Sequence, residues 1–238
     1  MKQTILSIVG LLLCLNCFSQ ERDHRASLDY LNQSIEYPFI TEKNIDGLCF
    51  ITLSNNFDYY QNPILLTDKD NQQIASIEFV DTLGIITTFK GRQFRSYDNS
   101  NPFKPWLWVD NPDYLRLTFE CTDSIGNFYK VRLNESEFAW IKKTDENFKK
   151  ETIENFVLKW TSEPMKLDFN RLINPLKKEP KSDSENIDNP EQGKYKIWEA
   201  TSLEIFGDWI KIKTIMDEIG WIKWRDGNKV LIRMYYAC

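Results

Sequence analysis

The stretch from Gly207 to Ile232 alternates apolar and polar residues in short runs. A tryptophan lies at or near the start of each run, and Asp226-Gly227 precedes the last one. Alternation with a period of two is typical of half-buried strands, and Asp-Gly is a strong hairpin-turn signal. The pattern predicts a β-meander at the C-terminal end of the chain.

A quieter copy of this pattern lies 81 residues earlier, from Gly126 to Lys143. Without any gap, Gly126 aligns with Gly207, and Trp140-Ile141-Lys142 aligns with Trp221-Ile222-Lys223. We therefore expect a tandem repeat of one small β unit, with a first copy over residues 46–143 and a second over 165–238.

The first copy is the longer one. Asn62-Pro63-Ile64 opens it much as Asn174-Pro175-Leu176 opens the second, yet the proline-to-glycine distance is 63 residues in the first and 32 in the second. The Pro- and Trp-rich residues 91–113 are the expected insertion, because surface loops tolerate such additions.

Two segments have helical rather than strand-like spacing. Within the lead at residues 20–45, Leu28, Leu31 and Ile35 recur before Pro38, which predicts a short helix. In residues 144–164 a bridging helix is expected, capped by Thr144 or Asp145. Its apolar stripe consists of Phe148, Ile153, Phe156, Val157 and Trp160. The predicted fold is mainly β, with two small β units joined by one helix.

Residues 1–19 form a separate segment. Lys2 precedes an apolar stretch from Ile5 to Leu15, and Cys17 and Ser19 put small residues at −3 and −1 of a cleavage site. We expect a signal peptide and export to the periplasm or beyond, with no transmembrane segment in the mature chain. A lipoprotein anchor on Cys14 or Cys17 is the alternative.

The net charge limits the expected classes of binding partner, and the number of cysteines limits the possible disulfides. A net charge of −5 and a pI near 5.2 argue against binding to nucleic acid or to an anionic membrane. Cys49, Cys121 and Cys238 remain after the expected cleavage. A disulfide between Cys49 and Cys121 is possible in an exported protein, but their strand-like apolar surroundings favour buried thiols.

The inventory of reactive groups is small. His24 is the single histidine, so a Ser-His or Cys-His nucleophile pair within the fold is not expected. Cysteine and histidine show no metal-ligand spacing, and Gly-rich phosphate loops are absent from the sequence. The paired acids Glu135/Glu137 and Asp217/Glu218 are expected at solvated hairpin tips. We predict a protein that is not an enzyme and uses neither a cofactor nor a metal.

Three short motifs of the second unit resemble bacterial SH3-like (SH3b) domains. They are Pro175-Leu176, Trp209-Ile210-Lys211-Ile212 and Gly220-Trp221-Ile222, with weaker counterparts in Pro63-Ile64, Phe128-Tyr129-Lys130-Val131 and Ala139-Trp140-Ile141. The resemblance implies two small SH3-like β-barrels in tandem. In that family such modules are often exported and commonly bind cell-wall or protein ligands.

Strand parity divides the side chains of both hairpins into two sets. The aliphatic residues share one face, which is the natural core, and the aromatic and lysine residues share the other. A ligand surface on the outer face is the site hypothesis; the alternative is that the rings cover the barrels or pack on the helix. The candidate ligand-binding residues are Trp106, Trp108, Phe128, Trp140, Trp209, Lys211, Trp221 and Lys223.

These features together predict an exported, non-catalytic SH3-like binding or scaffolding protein of the bacterial cell envelope. A protein ligand is favoured over a cell-wall component, because an acidic protein is repelled by anionic wall polymers. The alternatives are an envelope hydrolase that uses acidic residues, and an inhibitor or immunity-type protein that sequesters one target. The sequence does not define an oligomeric state.

Overall fold

The computed structural model describes residues 24–33, 44–96, 98–109 and 115–235. The expected signal peptide and Cys238 lie outside the described residues. The described part contains two α-helices, α1 (His24–Gln33) and α2 (Ile153–Thr161), and many short strands, so the mainly β prediction is confirmed. The strands in chain order are β1 (Cys49–Leu53), β2 (Ile64–Thr67), β3 (Gln73–Val80), β4 (Gly84–Phe89), β5 (Arg92–Arg95), β6 (Leu107–Val109), β7 (Arg116–Ile125), β8 (Phe128–Arg132), β9 (Phe138–Lys142), β10 (Phe148–Glu151), β11 (Lys166–Asn170), β12 (Ile197–Phe206), β13 (Trp209–Thr214), β14 (Ile219–Lys223), β15 (Arg225–Asp226), β16 (Lys229–Val230) and β17 (Arg233–Tyr235).

The strands form two main antiparallel sheets. The larger sheet has the order β10-β1-β7-β8-β9-β2-β3-β4-β5, with β6 also paired to β7, and the smaller has the order β14-β13-β12-β11-β17. Strands β15 and β16 form a separate small hairpin across the expected Asp226-Gly227 turn. Neither main sheet closes on itself, which differs from the expected closed barrels.

The two predicted hairpins have the same register. Phe128 lies opposite Lys142 in β8–β9, and Trp209 lies opposite Lys223 in β13–β14. Each residue of the second pair follows its counterpart by 81 positions. The pairing of Lys130 with Trp140 recurs in the same way as the pairing of Lys211 with Trp221.

The correspondence extends beyond the hairpins. The register of β7 against β8 shifts between Cys121 and Asp123, and that of β12 against β13 shifts between Ser202 and Glu204. These positions are again 81 residues apart. The order β10-β1-β7-β8-β9 in the first unit corresponds strand for strand to β17-β11-β12-β13-β14 in the second.

The opening strands correspond less closely than expected. Thr67 pairs with Trp140, and Lys177 forms a bridge with Trp221. The residues that precede these partners, Leu66 and Leu176, therefore occupy matching places. Pro63 lies four residues before Thr67, whereas Pro175 lies two residues before Lys177, so the match of Pro63 with Pro175 is out of position by two residues.

The additional residues of the first unit are also distributed differently from the prediction. Strands β3, β4 and β5 extend the large sheet beyond β2, so the extra structure begins at Gln73 rather than at residue 91. The expected insertion at 91–113 contains β5 and β6, and its Pro102–Trp106 segment precedes β6 and is held by a hydrogen bond from the Lys104 N–H to the Leu133 carbonyl at 2.7 Å. The sequence pattern of β3 and β4 predicts two strands, but it does not predict which strand of the sheet they pair with.

Helix α2 is shorter than predicted. It begins at Ile153, after Thr152, whose side chain accepts a hydrogen bond from the Asn155 backbone N–H at 3.2 Å. Phe148 instead belongs to β10, which pairs with β1. The spacing of apolar residues around Phe148 is compatible with a helix or a strand. The segment is a strand because it pairs with β1.

Two apolar cores lie on opposite sides of strand β1, whose five residues are all buried. Ile51 faces the first core, together with Phe119, Val131 and Ile141. Phe50 faces the second core, where its ring centroid is 4.3 Å from that of Phe156 in α2. The second core consists further of apolar residues from α1, β11, β12, β13 and β14.

The buried Arg171 holds the loop at residues 177–194 against the second sheet. Its guanidinium donates to both carboxylate oxygens of Glu218, at 2.5 and 2.8 Å, and to the Ile187 carbonyl at 2.6 Å. It also lies 4.4 Å from the centroid of the Trp198 ring. Glu218 was expected at a solvated tip, and it is instead half of a bidentate ion pair.

We expect Glu218→Gln to destabilise the protein by about 2–4 kcal/mol at pH 7, because Arg171 would lose its buried counter-charge. Burial alone would raise the pKa of Glu218, but hydrogen bonds from Arg171, Asn189 and Thr214 outweigh it and lower the pKa. A lowered folded-state pKa gives stability at neutral pH that is lost as the pH falls through that pKa. The gap between wild type and variant should therefore shrink in acid, as measured by urea unfolding.

Glu185→Gln is the control, since Glu185 pairs with Lys178 on the exposed surface and should matter little. A loss for Glu218→Gln that is the same at pH 7 and at acidic pH would contradict the ion-pair assignment.

Gly220 and Ala139 are equivalent positions that tolerate different side chains. A Cβ on Gly220 would lie 2.8 Å from the Lys177 carbonyl oxygen and 2.7 Å from Leu176 Cγ. We expect Gly220→Ala to cost about 1–3 kcal/mol through overpacking. The reverse change at the matching site, Ala139→Gly, should cost about 1 kcal/mol through chain entropy. Denaturant midpoints compare the two variants, and a neutral Gly220→Ala would show that the backbone at Lys177 can move away.

Candidate functional site

The candidate residues of the two hairpins lie on matching faces. Phe128, Lys130, Trp140 and Lys142 form the aromatic–lysine face of the first unit, and Trp209, Lys211, Trp221 and Lys223 form that of the second. Residues directly opposite in an antiparallel pair share a face of the sheet. The aliphatic residues between them are buried on the other side, as strand parity predicts.

In the first unit this face is half-open. The rings of Phe128 and Trp140 meet edge to face with centroids 6.4 Å apart, and the Lys130 ammonium lies 4.3 Å from the Phe138 ring centroid. These contacts give the face an apolar surface with fixed cations on it.

In the second unit neighbouring residues of the protein cover more of the same face. Trp221 is only 9% exposed, because its backbone pairs with Lys177 on one side and Lys211 lies 5.8 Å from its ring centroid. Trp209 is half-buried beside the exposed Phe206, its cross-strand partner in β12. Lys223 pairs with Asp226 at 3.0 Å. The candidates are together, but the Trp221 ring has little surface for a ligand.

Trp106 and Trp108 do not belong to these faces. Trp108 packs in the first core, whereas Trp106 lines a cavity. The Trp108 ring packs edge to face on Phe103 at 4.9 Å in the first core, and its indole N–H is buried with no hydrogen-bond partner among the described residues. The Trp106 ring centroid lies 5.1 Å from that of Phe50. Trp106 also lines a cavity beside the first unit.

That cavity has a volume of about 590 Å³. The Pro102–Trp106 segment forms one wall, and the turn at Asn134–Ser136 forms another. Asn134 joins the two walls, because its side-chain amide donates to the Pro102 carbonyl at 2.8 Å. Buried Phe103 and Pro105 hold the segment in place on either side of exposed Lys104. We call this space the Trp106 cavity.

Glu120 and Arg132 form the floor of the Trp106 cavity. Glu120 is 4% exposed, and one of its carboxylate oxygens accepts from the backbone N–H groups of Asp46 and Gly47 at 2.6 and 2.7 Å. The other oxygen accepts from Arg132 Nε at 2.9 Å. Both oxygens of this buried carboxylate thus accept hydrogen bonds from within the protein.

Gly47 is required by this arrangement. A Cβ at position 47 would lie 2.5 Å from Glu120 Cγ and 2.7 Å from the Cys121 carbonyl oxygen. The close approach lets the chain entering β1 wrap around the carboxylate. The two remaining guanidinium nitrogens of Arg132 have no hydrogen bond or ion pair among the described residues, and Arg132 is about 30% exposed. They are available to an acceptor on a ligand.

A second cavity of about 590 Å³ lies at the corresponding place in the second unit. Thr201 and Lys213 line it at the positions that match Glu120 and Arg132. Lys213 forms an ion pair with Asp217 at 2.8 Å, and Lys166 pairs with Glu199. This cavity has no aromatic wall, and His24 and Ser27 of α1 border it instead.

The sequence did not indicate Glu120 and Arg132 as site residues. A signal was present, because Glu120 is a charged residue inside the apolar run LRLTFECT of β7. A buried charge requires a partner, so this residue predicts a cation nearby. Its partner Arg132 lies 12 residues later in β8, where only the hairpin register brings them together.

The described residues contain no cluster of histidine, cysteine or acidic side chains that could hold a metal ion. No helix in the described ranges is long and apolar enough to span a membrane. The arrangement of the Trp106 cavity is suited to holding a polypeptide or another mixed polar and apolar ligand: it offers one indole surface, guanidinium donors and rim charges of both signs.

No protein-family model matches this chain, and no curated protein matches it in sequence.

We expect Glu120→Ala to destabilise the protein by about 3 kcal/mol, because two backbone N–H groups and the Arg132 guanidinium would lose their buried acceptor. Urea unfolding measures the effect. Glu135→Ala, on the exposed rim of the same cavity, should change the midpoint little. If both changes have equal effects, Glu120 is not the structural floor of the cavity.

Proposed function

We propose that the protein is an exported, non-catalytic binding or scaffolding protein of the bacterial cell envelope, and that a segment of another protein binds in the Trp106 cavity. The observation that carries the proposal is this cavity, with an indole on one wall and unpaired guanidinium donors on its floor. Aromatic and arginine side chains contribute most of the binding energy at protein interfaces.

The pre-formed walls favour this use. The Pro102–Trp106 segment is fixed at buried Phe103 and Pro105 and by the hydrogen bond from Asn134 to Pro102. A rigid recognition loop loses little conformational entropy when it binds, so more of the contact energy appears as affinity. A bound peptide would place an apolar side chain against Trp106 and a carbonyl or carboxylate oxygen near Arg132.

The finer description of the fold belongs to the same proposal. We infer two SH3-like units in tandem, derived from strongly opened barrels, with α2 as the bridge between them. The shared register of β8–β9 and β13–β14 and the matching register shifts in β7 and β12 support the duplication. The contact of Phe50 with Phe156 supports the role of the helix, since α2 touches both units.

A protein ligand fits better than an anionic wall polymer. The chain carries a net charge of −5, and the cavity rim itself includes Asp46 and Glu135 beside Lys104. A polyanion would meet net repulsion over most of this surface. A partner with mixed or positive charge would be attracted.

The hydrolase alternative has less support. Of the acids that it would use, Glu137 pairs with Lys90, Asp217 with Lys213 and Glu218 with Arg171. Carboxylates committed to ion pairs are poor general acids, because the neighbouring cation favours the ionised form. The inhibitor or immunity-type alternative shares the proposed protein ligand and differs only in how many partners the cavity accepts.

Site-specific photocrosslinking tests the proposal in intact cells that produce the protein. Ser136 on the cavity rim is replaced by benzoylphenylalanine, and Asp81 on the distant β3–β4 turn serves as the control position. We expect discrete protein adducts from Ser136 and none from Asp81. One stoichiometric adduct would favour the inhibitor type, and several would favour a scaffold.

Trp106→Ala should reduce the Ser136 adduct about tenfold, because the apolar wall is lost, while Trp106→Phe should retain most of it. Thermal unfolding of both variants checks that the first unit remains folded. Equal adduct yields in all three proteins would contradict the assigned site. Sedimentation with insoluble peptidoglycan instead of protein adducts would favour the wall ligand.

A further inference from the structure

Cys49 at the start of β1 and Cys121 in β7 lie directly opposite each other across the antiparallel pair. Both thiols are buried, at 3% and 0% exposure, and both are free. Directly opposed residues in such a pair have Cα atoms about 4.5–5.5 Å apart, which is within the span of a disulfide. The backbone therefore already has the spacing that a bond between these sulfur atoms requires.

The two thiols influence each other's ionisation, and the Cys121 thiol also donates to the Asp123 carbonyl oxygen at 3.1 Å. A hydrogen bond with Cys121 lowers the pKa of Cys49 to about 7, against the effect of burial and with help from Lys150. The same hydrogen bond and burial raise the pKa of Cys121. The thiolate is the reactive form of cysteine, so whichever thiol of the pair ionises first attacks the oxidant and the other resolves the mixed disulfide.

We propose that Cys49 and Cys121 are an oxidative modification site, at which a small disulfide oxidant such as oxidised glutathione produces an intramolecular disulfide that joins β1 to β7. During folding, before the two sulfur atoms are buried, one of the thiolates attacks one sulfur of the oxidant and releases one glutathione thiolate. The other cysteine thiol then gives up its proton, attacks the protein sulfur of the mixed disulfide and releases the second glutathione. Two protein thiols are oxidised, and one glutathione disulfide is reduced to two thiols.

The bond would fasten one side of the Trp106 cavity. Gly47 donates to Glu120 two residues before Cys49, and Glu120 directly precedes Cys121. The crosslink encloses the 71 residues from 50 to 120, which include β2 to β6 and the Pro102–Trp106 wall. Closing a long loop stabilises mainly by restricting the unfolded chain.

The second unit provides an internal comparison. Ser202 occupies the position that matches Cys121, and its hydroxyl hydrogen bonds with Thr161 and Ser162 of the α2 end. The matching position for Cys49 is Met165, so the second unit has no such pair. The modification is specific to the unit that carries the Trp106 cavity.

The test refolds the full chain from denaturant in excess oxidised glutathione and, separately, in reductant. The folded monomer is isolated by gel filtration, unfolded again, alkylated and digested without reduction. We expect a peptide linking Cys49 to Cys121 only in the oxidised sample. Its melting temperature should exceed that of the reduced sample by about 5–10 °C.

Cys121→Ser and Cys49→Ser are the matched variants, and each should abolish both the linked peptide and the difference in melting temperature. Alkylated Cys49 and Cys121 in the oxidised, folded monomer would overturn the proposal. So would a predominant link from either residue to Cys238. A linked peptide found only in aggregated material would equally overturn it. None of these outcomes depends on whether the Trp106 cavity binds a protein.

Discussion

The pairing register of the two hairpins determines which side chains this protein buries. Ile210, Ile212 and Ile222 are all fully buried because β13 and β14 pair Trp209 with Lys223. A slip by one residue would turn that whole set to solvent. Each isoleucine contributes about 1.5–3 kcal/mol by burial, so the slipped pairing would be strongly disfavoured. The first unit has the same register, with smaller and more mixed residues on its buried side.

The same register places the charges. In β7 and β8 it brings Glu120 beside Arg132, and in the second unit it sets Glu218 at the turn that faces Arg171. Both ion pairs lie where a sheet face meets a loop that crosses it, and both involve a side chain that is almost completely buried. Such a charge must have its partner in place, so each pair fixes the position of its loop more sharply than apolar packing alone would.

The features that the sequence predicted are those encoded locally. The strands, the Asp226-Gly227 turn, the inward isoleucines and the short N-terminal helix all follow from spacing within ten residues or fewer. The features it did not predict depend on distant partners. Phe148 became a strand residue because β10 pairs with β1, about a hundred residues away. Arg171 and Glu218 form an ion pair although they are 47 residues apart, and no local sequence pattern predicts that pairing.

Of the candidate site, the aromatic–lysine faces were predictable because parity alone separates inward from outward residues. Which of those faces remains open was not predictable. Trp221 is covered by Lys177, and Trp108 turns into the first core, while Trp106 remains at the cavity wall. Those outcomes depend on where the connecting segments cross the sheets, and the connections differ between the two units.

The two units differ in the residues that line their corresponding cavities. Both have a cavity of about 590 Å³ at the same end of the same sheet face, so the shared strand pattern creates the space. In the second unit Lys213 is paired with Asp217 at the wall, which leaves its charge satisfied within the protein. In the first unit the matching Arg132 pairs with Glu120 through Nε and lines the cavity together with Trp106. The same strand framework therefore holds two differently lined cavities, one with an aromatic wall beside the Glu120–Arg132 ion pair and one lined by the Lys213–Asp217 ion pair.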